Sequence, residues 1–264
     1  MGDMREDRIY ADRLGKTDLL VATGMGLAVV SVSNDRIGEF SLAHRCSARD
    51  VAGTDDGVLL ATEEDVLVGD PENPEPTGFG PAVAVTVTEG APVAAGPEGR
   101  LARYADGEWT ALGEVADPRA LSGDLLAAGG GVYRLPDCDH VGLTDATDVS
   151  TAGTPLAATG EGCYRLGPGW TQDVAGAFAF VAGDGERAHA GTDDRLYERA
   201  DGQWTERDHP ATDPLVDAAY LDDGGVAVLT ASGRLLVDPA AAKDGHEGWR
   251  SRSLGLPDAV ALSV

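Results

Sequence analysis

Seven times the chain returns to one phrase: a short apolar strand ending in Ala-Thr or Ala-Gly, a polar turn, then a second strand. The copies are LLVATGMGLAVV from Leu19, VLLATEEDVLV from Val58, VAAGPEGRLARY from Val93, LLAAGGGVYRL from Leu125, LAATGEGCYRL from Leu156, RAHAGTDDRLYER from Arg187 and VAVLTASGRLLV from Val226. Aligned on Ala22, Ala61, Ala95, Ala128, Ala158, Ala190 and Leu229, they follow at intervals of 39, 34, 33, 30, 32 and 39 residues. Self-similarity at this spacing in strand-rich sequence marks a ring of repeated small sheets, a β-propeller.

Four strands are legible around each anchor. Ahead of it lies a strand of small apolar residues: RDVAGT, AVAVTV, PRALSG, DVSTAG, AFAFVAG, DAAYLD and, at the C-terminus, DAVALSV. The anchor strand is continuously apolar, as expected where both faces are buried. A third strand alternates with period two, as in GRLARYAD and GRLLVD, and a fourth carries the tryptophans of GEWTAL, PGWTQDV, GQWTER and GWRSRSL. The first copy lacks a small-residue strand before it, whereas the last is followed by a spare one, Asp258 to Val264. That spare strand is expected to join the first blade and close the ring, leaving no free sheet edge. The expectation is an all-β, single-domain propeller over 15–264 with a weakly structured segment at 1–14. Seven four-stranded blades are counted, and six remain open because the stretch from 63 to 92 is degenerate. Asp70 to Pro81, DPENPEPTGFGP, reads as a blade-connecting loop, and residues 240–248 as a second excursion.

The surface is strongly acidic. Thirty Asp and 15 Glu face 20 basic residues, of which only Lys16 and Lys243 are lysines, for a formal charge of −25. Such a chain repels itself in dilute buffer, and near 1 M salt the Debye length falls to roughly 3 Å and relieves it. The expectation is therefore a halophilic protein with high-salt cations at its surface. No basic stripe favours nucleic acid, and no apolar run reaches the ~18 residues of a membrane helix. A soluble, cytoplasmic monomer is expected.

The phrase LLAATxxGLYRxxDGxWT, fullest from Val93 to Leu112 and from Arg187 to Arg207, resembles the YVTN/BNR-like, WD40-like group of propellers. Within that group the chain looks most like a haloarchaeal β-propeller family, and the resemblance implies fold rather than chemistry. A BNR repeat would carry SxDxGxTW, whereas ADGEWT and ADGQWT lack the Ser and the inserted residues. With no arginine triad placeable beside a Tyr/Glu pair, sialidase activity is disfavoured.

Trp109, Trp170, Trp204 and Trp249 have the chemistry to stack sugars or bases, yet all fall on the same strand of different blades, as repeat packing requires. Arg103, Arg134, Arg165, Arg199 and Arg234 recur in the same way beside acids. Cys46, Cys138 and Cys163 form no CxxC pair. His44 with Cys46, and the run Asp137, Cys138, Asp139, His140, each fall short of four zinc ligands. Asp50, Asp117, Asp148, Asp217 and Asp258 stand roughly ten to twelve residues ahead of their anchors, at the head of the innermost strands. With Arg49 and Arg119 they are the candidates for a cation or ligand site at one mouth of the channel. No cofactor is called for beyond a hard divalent cation such as Ca²⁺ there, the competing role being Asp capping of turns. No catalytic residue is assigned. The functional expectation is a non-catalytic protein-binding or assembly scaffold, the alternative a small-molecule-binding or lactonase-like hydrolytic propeller.

Overall fold

A computed structural model of the chain describes residues 16–33, 36–239 and 248–264. The N-terminal segment 1–14 and most of the excursion at 240–248 lie outside these. Seven four-stranded antiparallel sheets make up the fold, with no helix among the described residues. The innermost strands are Ala48–Thr54, Ala84–Thr88, Pro118–Ser122, Ala146–Ser150, Phe180–Gly183, Leu215–Tyr220 and Ala259–Ser263. Each contacts the inner strand of the next blade, and Ala259–Ser263 contacts Ala48–Thr54, which closes the ring. The C-terminal strand pairs antiparallel with Lys16–Thr23, Ala22 facing Ala261, so the first blade is built from both ends of the described chain. Blades are numbered here from that one. The ring has seven blades, and the degenerate stretch contributes the rest of the second and the start of the third. Within Asp70 to Pro81 the chain still makes a two-residue outer strand, Glu75–Pro76, with the Pro on an outer edge where no ladder donor is needed.

The repeated phrase has a physical meaning at each position. The core is divided into seven apolar clusters, each drawn from two adjacent blades. At the anchor position, one strand out from the channel where neighbouring blades pack closely, Ala22, Ala61, Ala95, Ala128, Ala158 and Ala190 are all fully buried, and fully buried Leu229 takes the same place in the seventh blade. Buried Cys163 fills such a cluster. The threonine of Ala-Thr staples the following turn: Thr159 Oγ1 accepts the Glu161 and Gly162 N–H groups and donates to the Gly162 carbonyl (3.1, 3.0 and 3.1 Å). Thr62 and Thr23 do the same in their blades. The glycine opening the third strand is required by backbone geometry. Gly99, at φ +94°, would place a Cβ 2.6 Å from the Val115 carbonyl oxygen, and Gly26, at φ +134°, faces the His44 carbonyl in the same way.

The tryptophans lean on the preceding blade. Trp170 Nε1 donates to the Val141 carbonyl (3.0 Å), Trp204 Nε1 to Asp173 Oδ2 (3.3 Å) and Trp249 Nε1 to the Asp208 carbonyl (2.7 Å). Trp109 packs against Phe79 and Tyr104. Four of the repeated arginines meet acids: Arg103 pairs with Glu89, Arg134 with Asp124, and Arg165 and Arg199 share Asp173.

Candidate functional site

The ring encloses a channel of about 600 Å³, lined by the seven inner strands. The mouth where these strands begin is called upper here. In five of them a one-residue bulge falls at the start, at Arg49, Arg119, Thr147, Val216 and Val260. A bulge lets two successive residues face the same side, so the residue after it also turns to the lumen: Asp50, Ala120, Asp148, Asp217 and Ala261, all lining the channel.

This geometry sorts the sequence-selected aspartates. Asp50, Asp148 and Asp217 face the lumen together with Arg49 and Arg119. Asp117 and Asp258 do not line it. They sit one residue ahead of their strands in the left-handed region (φ +53° and +55°), which Asp tolerates in turns. The five therefore do not make one ring. Asp145 (φ +52°) belongs to the turn class and was missed in the sequence. Arg119 is clasped between Asp117 and Asp145 (2.8 Å each), and Arg49 pairs with Glu63.

Each lumen aspartate bonds the backbone on both sides of a blade junction. Asp50 accepts the Val51 N–H on one oxygen and the Val85 N–H of the third blade on the other (2.8 Å each). Asp148 takes Val149 and Val181 likewise (2.8 Å each), and Asp217 takes Ala218 and Leu262 (2.7 Å each). An inner strand has an unpaired edge toward the axis, and these carboxylates supply the missing acceptors. Lower in the channel hydroxyls do the same. Thr86 Oγ1 accepts the Gly123 N–H (3.0 Å), Ser122 Oγ the Thr151 N–H (3.1 Å) and Ser263 Oγ the Gly53 N–H (3.0 Å). Every one of these six clasps runs from one blade to the next in the same rotational sense. The remaining junction, sixth to seventh, is bridged by buried His189, whose Nδ1 lies 2.7 Å from the Tyr220 hydroxyl. Sequence reading missed that pair because its members come from different blades.

The three carboxylates keep some contact with lumen solvent, yet protein surrounds them on every side. Desolvation pushes Asp50 and Asp148 up to about 7 from 3.8, against the pull of their N–H donors, and raises Asp217 well above its ordinary value. Mutual repulsion adds to this, since Asp148 raises both Asp50 and Asp217. Burial lowers His189 to about 3, so it is neutral at ordinary pH. Among the described residues no three His, Cys, Asp or Glu side chains are grouped to hold a metal ion, and Cys46, Cys138 and Cys163 are free thiols.

Fold and channel together define a seven-bladed β-propeller whose inner strands are clasped by their own side chains. The family model described as Beta-prop_HVO_0234-like, beta propeller, matches residues 3–264, and the chain belongs to that family. None of the curated proteins matches it. Among solved structures it is similar to the computationally designed Ika8 protein, at TM-score 0.63 and 12% identity over 94% of this chain and 91% of that one. It is also similar to the RRP9 WD40 repeats, at TM-score 0.58 and 11% identity over 93% and 86%. A third similarity is to the extracellular domain of a putative hybrid two component system, BT4673 from B. thetaiotaomicron, at TM-score 0.65 and 13% identity. There the match covers 86% of this chain and 36% of that one. At these identities the likeness is one of fold.

Proposed function

We propose that the protein is a non-catalytic scaffold that binds a protein partner through a loop-bearing face of the ring, in the cytoplasm of a salt-loaded cell. One observation carries this reading: the three lumen aspartates and the hydroxyls of Thr86, Ser122 and Ser263 are committed to clasping neighbouring blades, and both lumen arginines are paired. A catalytic mouth needs groups aimed at a substrate; here they are aimed at the backbone. Similarity to WD40 repeats agrees with a scaffold at the level of fold. The test is site-specific photo-crosslinking in the source cells at exposed positions on both faces and the outer rim. Crosslinks to one protein, concentrated on one face, are expected. Absence of any protein crosslink, together with turnover of a lactone or ester panel that Asp148→Asn abolishes, would replace the scaffold with the hydrolase.

A further inference from the structure

The described residues include three large exposed hydrophobic side chains, Met25, Val260 and Val264, and the first two share the upper mouth. Met25 follows Gly24, whose N–H donates to the Asp258 carbonyl (2.9 Å), two residues before Val260. Val260 is the bulge residue of the closing strand, and along the mouth it is followed by Val216 on the adjoining inner strand and by exposed Ala179, one residue ahead of the next one. Blades six, seven and one thus each present an apolar side chain at this mouth. Its rim is acidic. Asp258 is exposed beside Met25, Asp213, two residues ahead of the Leu215–Tyr220 strand, accepts the Ser232 hydroxyl (2.6 Å), and exposed Asp193 ties its carbonyl to the Leu215 N–H (3.3 Å). Arg49, on the inner strand that adjoins Val260's, and Arg119, across the ring on the fourth blade, are neutralised by Glu63 and by Asp117 with Asp145.

We propose that this side of the mouth docks a segment of a partner protein that inserts an aliphatic side chain between Met25, Val216 and Val260 and places a flanking Lys or Arg against Asp213 and Asp258. The proposal rests on the scaffold reading and names its face and its partner's chemistry. An apolar patch rimmed by one sign of charge selects the opposite sign at its edges and an apolar tip at its centre. A partner with acidic flanks is repelled by the rim and by the overall charge of −25.

The experiment compares photo-crosslinkers at Val260, Val264 and Gln203, at the upper mouth, the lower mouth and the outer rim, with the crosslinked segment read by mass spectrometry. The expected result is crosslinking from 260 to a segment with an aliphatic residue next to Lys or Arg. The purified partner should then bind at least tenfold more weakly to Met25→Ser/Val260→Ser and to Asp213→Asn/Asp258→Asn than to wild type. Crosslinks from 264 or 203 alone, to a second copy of this chain, or to a segment lacking basic residues would overturn the proposal and leave the scaffold standing. Equal affinity of the wild type and both variants would overturn it too. No protein crosslink from any of the three positions would overturn the scaffold reading with it.

Discussion

Replacing Asp50, Asp148 and Asp217 together by Asn should remove most of a pH dependence that the wild type carries between about pH 4 and pH 8. In the folded protein Asp50 and Asp148 titrate at about 7 and Asp217 is displaced the same way, against 3.8 for an ordinary carboxyl group. Across that interval the folded state holds protons that the unfolded chain has released, so stability is fully present below about 4 and falls as pH rises through 7. The distance from 3.8 to about 7, at about 1.4 kcal/mol per pH unit, sets a ceiling of about 4 kcal/mol for each carboxylate. Lumen water screens the charges and brings the working loss to about 1–2 kcal/mol each, or about 3–6 for the three. Asn removes this dependence at a different cost. Its amide oxygen accepts one of the two N–H donors and its NH₂ confronts the other, worth about 1 kcal/mol per site. The triple variant should therefore be about 3 kcal/mol less stable than wild type at pH 4.5 and between equal to it and about 3 kcal/mol more stable at pH 8. Urea unfolding at fixed high KCl measures this difference at each pH, so that the titration of all other acids cancels. A difference that stays constant from pH 4.5 to 8 would refute the reasoning.

Other perturbations test other parts of the ring. Thr159→Val should cost about 2 kcal/mol in urea unfolding, because it removes the one oxygen that accepts the Glu161 and Gly162 N–H groups and donates to the Gly162 carbonyl. Asp173→Asn should cost about 2–3 kcal/mol, since Asp173 is mostly buried and serves Arg165, Arg199 and Trp204 across the fifth and sixth blades. With a charge of −25 the thermal midpoint should climb steeply from dilute buffer to molar KCl, and a flat profile in scanning calorimetry would contradict the screening argument. Deleting residues 258–264 should leave the Lys16–Thr23 edge bare and the chain prone to associate, with a peptide of that sequence restoring the elution volume of the full chain in size-exclusion chromatography.

The blades were legible because one phrase spells the requirements of one place in the wedge: Ala where neighbouring blades pack closely, Thr where a turn needs stapling, Gly where a carbonyl crosses. The closing strand was legible for the same reason, as a surplus copy of one piece. Which aspartates reach the lumen was not. Asp50 and Asp117 both stand eleven residues before their anchors, yet only the first faces inward. Both inner hairpins turn on two residues, Asp55-Asp56 and Gly123-Asp124, but Asp50 directly follows its bulge at Arg49 whereas Asp117 lies two residues ahead of the bulge at Arg119, and a bulge leaves no mark in composition. Distance from an anchor therefore carries no fixed rotation about the strand. Contacts between blades, such as His189 with Tyr220, depend on neighbours across the junction, which the spacing within a repeat does not encode.

Closure through Ala259–Ser263 also sets the order in which the chain can fold. Leu20 must find Ser263, 243 residues away, while every other blade is made from neighbours along the chain. Closing a loop of that length costs about 3 kcal/mol more than closing a ten-residue hairpin, by the logarithmic dependence on length. Six blades are thus able to assemble locally, and the first waits half-made with an open edge until the last strand arrives. The rate-limiting event in refolding should be that single long-range capture, and until it occurs Lys16–Thr23 is the surface a chaperone must shield.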